Sequence, residues 1–266
     1  MHESQSEERP LLGKVALVTG GSRGIGAEVA EKLARNGADV VITYREKQAR
    51  AARVAAKVQE HGRRAIIAKA DLTAPEEMDE LMELVKREFG ALDLLILNAS
   101  GGLERDRPSD YAMQLNAEGQ ERAVDFALPL MPSGSRIVFV TSHMAHFYGK
   151  EPQAFAGYEP IAASKSAGEA ALRSRIPALA DSGVSLVVVS GDFVEGTTMP
   201  QLLERARPGS LERRRRQVGA LPTVVEFAQA IVAAGWDSEL TSGAVIFVGD
   251  TVSPSGDDDG LGSALA

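Results

Sequence analysis

Residues 15–26 read Val-Ala-Leu-Val-Thr-Gly-Gly-Ser-Arg-Gly-Ile-Gly, and this stretch decides the fold. Its first four residues are apolar and suit a buried strand. Gly20, Gly24 and Gly26 suit a tight turn, and the alanine-rich residues 27–35 suit a helix closed by Asn36-Gly37. Without Cβ atoms, such a turn lets the backbone approach a pyrophosphate closely and lets the helix pack against its strand. The helix N-terminus, with unpaired N–H groups and the positive end of its dipole, then favours an anion. The unit predicts a nucleotide site, against the plainer alternative of an ordinary strand-to-helix turn.

Outward from this unit the chain alternates. Apolar runs at 40–44, 65–70, 92–98, 136–141, 185–189 and 244–248 read as strands; helical patterns lie at 46–59, 76–89, 111–130, 161–180 and 224–234. Pro75 fits a helix N1 position after a Thr73 cap, and Pro177 is a point where the long helix bends. The alternation predicts a single-domain α/β fold of Rossmann type: a doubly wound parallel sheet with helices on both faces and ligands at the carboxyl ends of its strands. That domain is expected over 12–250, between flexible tails at 1–11 and 251–266. Residues 192–217 have no clean period.

Composition narrows the function classes. A chain of 266 residues with formal net charge −8 argues against a general nucleic-acid binder. No apolar run approaches the length needed to cross a bilayer, and the first ten residues are too polar for a secretory signal, so a cytoplasmic protein without membrane attachment is expected. Cysteine is absent, which rules out disulfides and thiolate chemistry. The four histidines show no metal-ligand spacing, and His143 and His146, three apart, read as polar lining or packing. Arg213, Arg214, Arg215 and Arg216 form a basic run, read either as a solvated helix face or as a contact for an acidic or phosphorylated partner.

Thr19-Gly20-x-x-x-Gly24-x-Gly26, Asp71 after the third strand, Asn98-Ala99 after the fourth, Asn116 in a helix, Ser142 after the fifth and Lys165 in the long helix together resemble the short-chain dehydrogenase/reductase family over roughly residues 12–250. The resemblance implies a nicotinamide cofactor bound along Gly20, Ser22, Arg23, Gly24, Ile25 and Gly26. It also implies Asp71 and Leu72 near the adenine, Asn98 and Ala99 near a ribose, Lys165 on the nicotinamide ribose and Thr197 or Thr198 at the carboxamide. A homodimer or homotetramer built through the helices at 111–130 and 161–180 is the family expectation.

The commonest family pattern has a Tyr four residues before the Lys, where this chain has Ile161. Tyr158 stands seven residues before Lys165, and this Tyr-x6-Lys spacing is similar to that of the enoyl-thioester reductases within the family. Four and seven residues are about one and two helical turns, so either position falls near the Lys face. Pro160 places Tyr158 just before the helix, where it serves either as the acid or as a packed aromatic; Tyr148 is a further candidate. The catalytic set is then Tyr158, Lys165, Ser142 and Asn116.

An acid at the end of the second strand would hold the ribose of NAD(H) and repel a 2′-phosphate. This chain has Tyr44-Arg45 there, and Arg45 with Arg23 favours NADP(H) over NAD(H). The first expectation is conjugate reduction of an enoyl thioester, on an acyl-carrier protein or coenzyme A steered by the basic run, with residues 192–217 as a lid. Carbonyl reduction of a ketone is the alternative, and cofactor binding without redox turnover the third.

Overall fold

The computed structural model describes residues 9–102, 104, 106–150 and 158–251. β1 (Val15–Val18), β2 (Asp39–Tyr44), β3 (Ala65–Lys69), β4 (Leu94–Leu97), β5 (Arg136–Ser142), β6 (Ser185–Gly191) and β7 (Val245–Val248) form one sheet in the order β3-β2-β1-β4-β5-β6-β7. Every pairing is parallel. β1 and β4 are buried at all positions, which is why their sequences are continuously apolar rather than alternating.

Successive strand residues feed two cores. Ala16, Val18, Ile42, Ile96 and Val138 pack under α1 (Gly24–Arg35), α2 (Gln48–Glu60) and α11 (Val224–Ala234). Leu17, Val41, Leu95, Ile137 and Phe139 face α3 (Pro75–Phe89) and the helices that follow β4 and β5. The two cores make the layered sandwich that the alternating pattern predicts. The ordered body includes Leu11, whose N–H donates to Asn36 O and whose side chain is buried, so the expected N-terminal tail ends before it. Its residues 1–8, and 252–266 of the expected C-terminal tail, lie outside the described residues.

Several local expectations are corrected. Helix α3 is entered through Ala74, not Thr73; the Thr73 hydroxyl instead donates to Asp71 Oδ1 at 2.7 Å. The segment 111–130 is α4 (Tyr111–Met113), a π-turn (Gln114–Glu118), α5 (Gly119–Ala127) and a 3₁₀ turn (Leu128–Leu130). The expected helix 161–180 is two helices, α7 (Glu159–Ser174) and α8 (Ile176–Asp181), divided at Arg175, with Pro177 in the first turn of the second. Residues 192–217 hold α9 (Thr198–Ala206) and α10 (Ser210–Val218).

β1 and β4 are neighbours although three strands apart in the chain, so connections leave them on opposite sides and open a crevice above their carboxyl ends. Among the described residues, no helix is long and apolar enough to cross a membrane, and no group of three or more acidic or histidine side chains could hold a metal.

Candidate active site

A cleft of about 880 Å³ occupies that crevice. Its floor is made by the turn after β1. The N–H of Gly20 donates to Thr43 Oγ1 at 3.0 Å, and Thr19 Oγ1 accepts from the N–H groups of Asn98 and Ala99 at 2.9 and 3.0 Å. Asn98 Nδ2 donates to Thr19 O at 2.9 Å. A Cβ on Gly26 would lie 2.6 Å from both Asn98 Nδ2 and Gly20 O, so only glycine lets α1 begin this close to β4. The N-terminus of α1 has no side-chain cap and no acidic residue in its first turn. Its N–H groups are thereby left for an anion, and the turn fits a dinucleotide pyrophosphate.

Of the residues expected to hold a cofactor, Gly20, Ser22, Arg23, Gly24, Ile25 and Gly26 all line the cleft, as do Tyr44 and Arg45 beyond β2, Asp71 and Leu72 beyond β3, and Asn98 and Ala99 beyond β4. Lys165 and Thr197 line its other end. Thr197 precedes α9 and donates its hydroxyl to Val194 O at 2.7 Å.

Three of the residues expected to act chemically come together from β5 and α7. Ser142 ends β5, Tyr158 immediately precedes α7 and Lys165 lies within that helix. The Tyr158 hydroxyl is 3.1 Å from Ser142 Oγ, and all three side chains line the cleft. Burial pushes the Tyr158 phenol up, opposed by its hydrogen bond to Ser142. Burial pushes the Lys165 ammonium down to about 8, with Glu169 one turn further along α7 acting the other way. Ile161, at the usual tyrosine position, packs with Tyr158 and Ala162.

Two expected members do not join them. Asn116 is buried in the π-turn and is absent from the cleft wall. Its Nδ2 donates to Gly101 O at 2.9 Å and to Ser164 Oγ at 3.0 Å, and its Oδ1 accepts from Gly101 N. Its carbonyl lies so near α7 that a Cβ on Gly168 would be 2.2 Å from it. Asn116 therefore braces α7 against the segment after β4. Tyr148 points to Glu159, 3.5 Å away, and does not line the cleft.

The basic run divides. Arg214 is buried and chelates Asp192 through contacts of 2.9–3.2 Å, while donating to Asp250 O at 3.1 Å. Arg215 pairs with Glu195 at 2.7 Å, Arg216 with Glu212 at 3.5 Å, and Arg213 donates to Ser210 Oγ. Arg214 and Arg215 thus bind α10 to the body, while Arg213 and Arg216 stay on its exposed face with partners on the same helix.

His143 is a cleft residue that the spacing argument assigned to lining or packing. Its Nδ1 lies 2.8 Å from Ser190 Oγ, and burial pushes its imidazole down to about 4. Its only sequence signal was its place directly after Ser142. Nearby, His146 Nδ1 contacts both oxygens of Glu169 at 2.8 and 2.9 Å, and Arg173 Nε donates to Glu169 at 2.8 Å.

The family model for short chain dehydrogenases matches residues 14–207. The chain belongs to the short-chain dehydrogenase family. A hydroxynaphthalene reductase of Aspergillus fumigatus is 38% identical over 141 residues, which is 50% of this chain and 51% of that protein, so the chain matches about half of that relative's length. A short-chain dehydrogenase from Burkholderia cenocepacia solved with NADP superposes with a TM-score of 0.78 at 30% identity, covering 90% of this chain and 97% of that one. The angucycline C-6 ketoreductase LanV, solved with bound NADP, gives 0.73 at 30% identity over 90% and 95% of the two chains. This short-chain dehydrogenase thus has the parallel sheet that its sequence predicts.

Proposed function

We propose that this short-chain dehydrogenase reduces a ketone to an alcohol with NADPH. The observation that carries the reading is the Ser142–Tyr158 hydroxyl pair, 3.1 Å apart in the cleft wall that Lys165 also lines. Ketone reduction needs a hydride, which the nicotinamide supplies when bound, and a proton for the oxygen. Tyr158 is the proton donor: its raised pKa keeps the phenol protonated at neutral pH. Ser142 gives a second hydrogen bond to the same oxygen, where charge develops as the carbonyl is reduced. Lys165 would hold the ribose of the bound cofactor. Met144, Phe147, Phe193 and Met199 give that end of the cleft apolar walls that exclude water.

Support for a ketone over the expected enoyl thioester comes from relatives named as a hydroxynaphthalene reductase and a ketoreductase. Two of the four arginines of the basic run are used inside the fold, which leaves only Arg213 and Arg216 to meet a carrier protein. NADP(H) is favoured by Arg45 and Arg23 in the cleft, and by the structural relatives that hold NADP. Conjugate reduction remains the second reading on one observation, the Tyr-x6-Lys spacing, since the same phenol would serve a thioester carbonyl. Incubation with NADPH and either a bicyclic aromatic ketone or a trans-2-enoyl thioester, with products identified by mass spectrometry and NMR, separates them. An alcohol from the ketone is expected. A saturated thioester, with no alcohol from the ketone, overturns the reading.

A further inference from the structure

The adenosine end of the cleft contains an anion supplied by the chain itself. Arg45, just after β2, hydrogen-bonds the Tyr111 hydroxyl, and its Nε and Nη2 lie 3.3 Å from Glu46 and 3.5 Å from Glu104. Glu46 is its neighbour in the chain. Glu104 comes from the segment after β4, and its other carboxylate oxygen accepts the Gly102 N–H at 2.7 Å. Since β2 and β4 flank β1, this carboxylate ties together the two walls of the groove above β1, where the cofactor turn opens. The Arg107 guanidinium lies 4.9 Å from the centre of the Tyr111 ring. Arg45, which also holds the Tyr111 hydroxyl, therefore already has a carboxylate as its resident anion, with Arg107 over the Tyr111 ring.

We propose that Glu104 is a displaceable counter-ion for Arg45, standing in for a phosphate monoester at the adenosine ribose. This rests on the NADP(H) reading above. A phosphate dianion offers Arg45 a stronger, bidentate, charge-assisted contact than a half-exposed carboxylate does. NADP(H) then replaces Glu104 on Arg45 and releases the segment after β4, whereas a dinucleotide without the 2′-phosphate leaves the pair in place. Glu104 thereby weakens binding of the phosphorylated cofactor and narrows its advantage over the unphosphorylated one. It acts on affinity and has no part in the chemical step.

The test is equilibrium binding of two fragments, 2′,5′-ADP and 5′-AMP, to the full chain by titration calorimetry. The wild type is compared with Glu104→Gln, Glu46→Gln and the double variant Glu104→Gln/Arg45→Gln, each checked for an unchanged melting profile. Glu104→Gln is expected to bind 2′,5′-ADP about three- to fivefold more tightly, the range set by an exposed ion pair. Its affinity for 5′-AMP should change by less than about twofold. The gain should vanish in the double variant and shrink at about 0.5 M salt, where exposed charges are screened. Equal tightening of both fragments, no tightening, or an equal gain from Glu46→Gln overturns the proposal. A wild type that prefers 2′,5′-ADP while Glu104→Gln gains nothing overturns this proposal alone. If neither wild type nor Glu104→Gln distinguishes the two fragments, the NADP(H) reading falls with it.

Discussion

Tyr158 Oη lies 3.1 Å from Ser142 Oγ, although one residue ends a central strand and the other stands at the entrance of a helix sixteen positions later. The relationship places a phenol beside the serine from a position three residues ahead of the usual one. Ile161, one turn into α7, keeps the usual position filled with hydrocarbon.

Tyr158→Phe should lower kcat about 10²- to 10⁴-fold, the range for removing a positioned proton donor, with little change in NADPH binding. Ser142→Ala should cost about 10²-fold, as for one donor to a developing oxyanion. Steady-state kinetics on the reduced ketone checks both. Full activity in Tyr158→Phe would reduce the phenol to a packing element.

The Asp192–Arg214 pair should behave as a buried ion pair that fixes α10 to the end of β6. Arg214→Met leaves Asp192 unpaired in the cleft wall and should cost about 3–5 kcal/mol in stability. Asp192→Leu combined with Arg214→Met removes both charges and should recover most of that loss. Urea denaturation of Arg214→Met, Asp192→Leu and the double variant decides it; a double-variant loss equal to the sum of the two single losses would show that the charges do not depend on each other.

Lys165 should leave a mark on alkaline stability. Its folded pKa of about 8 lies below the ordinary 10.5, so between these values the unfolded chain holds a proton that the folded one has released. Stability without cofactor should therefore rise as pH increases from about 8 to 10.5. Lys165→Met should flatten that rise in chemical denaturation curves across the window.

Much of the fold was legible because buried parallel strands write themselves as continuous apolar runs, and because the glycines after β1 answer to backbone approach rather than to side-chain preference. The residues expected to hold a cofactor could be brought to one cleft, since they sit directly after strands. What was hidden depends on contacts between distant elements. The π-turn at Gln114–Glu118 packs against Gly168 on α7, and no local pattern encodes that meeting. Helix α10 was obscured because its buried member is Arg214, a charged residue where periodicity looks for an apolar one. For the same reason the run of four arginines gave no sign that Arg214 alone is buried against Asp192. Tyr158 could be nominated by spacing, but its direction depended on a helix entrance that spacing does not describe.

His143 should set part of the acid limit of stability. Its imidazole sits between Ser190, whose hydroxyl is 2.8 Å from Nδ1, and the rings of Phe147 and Phe247; Nε2 is buried with no hydrogen-bond partner among the described residues. Burial is the main cause of its depressed pKa. Asp192 opposes it, Arg214 and His146 add to it, and Asp250 opposes it. The folded pKa is about 4 against an ordinary 6.5, so between these values the unfolded chain takes up a proton that the folded chain refuses. Unfolding therefore gains free energy as pH falls through the window, and the contribution of His143 to stability should be intact above about 6.5 and largely lost near 4. His143→Gln keeps a side chain able to reach Ser190 but cannot titrate. It should lower stability modestly at pH 7 and reduce the slope of stability against pH between 4 and 6.5, as measured by urea denaturation at half-unit steps. An unchanged slope in His143→Gln would assign the acid sensitivity to other groups, with the Glu169–His146 pair the next to test.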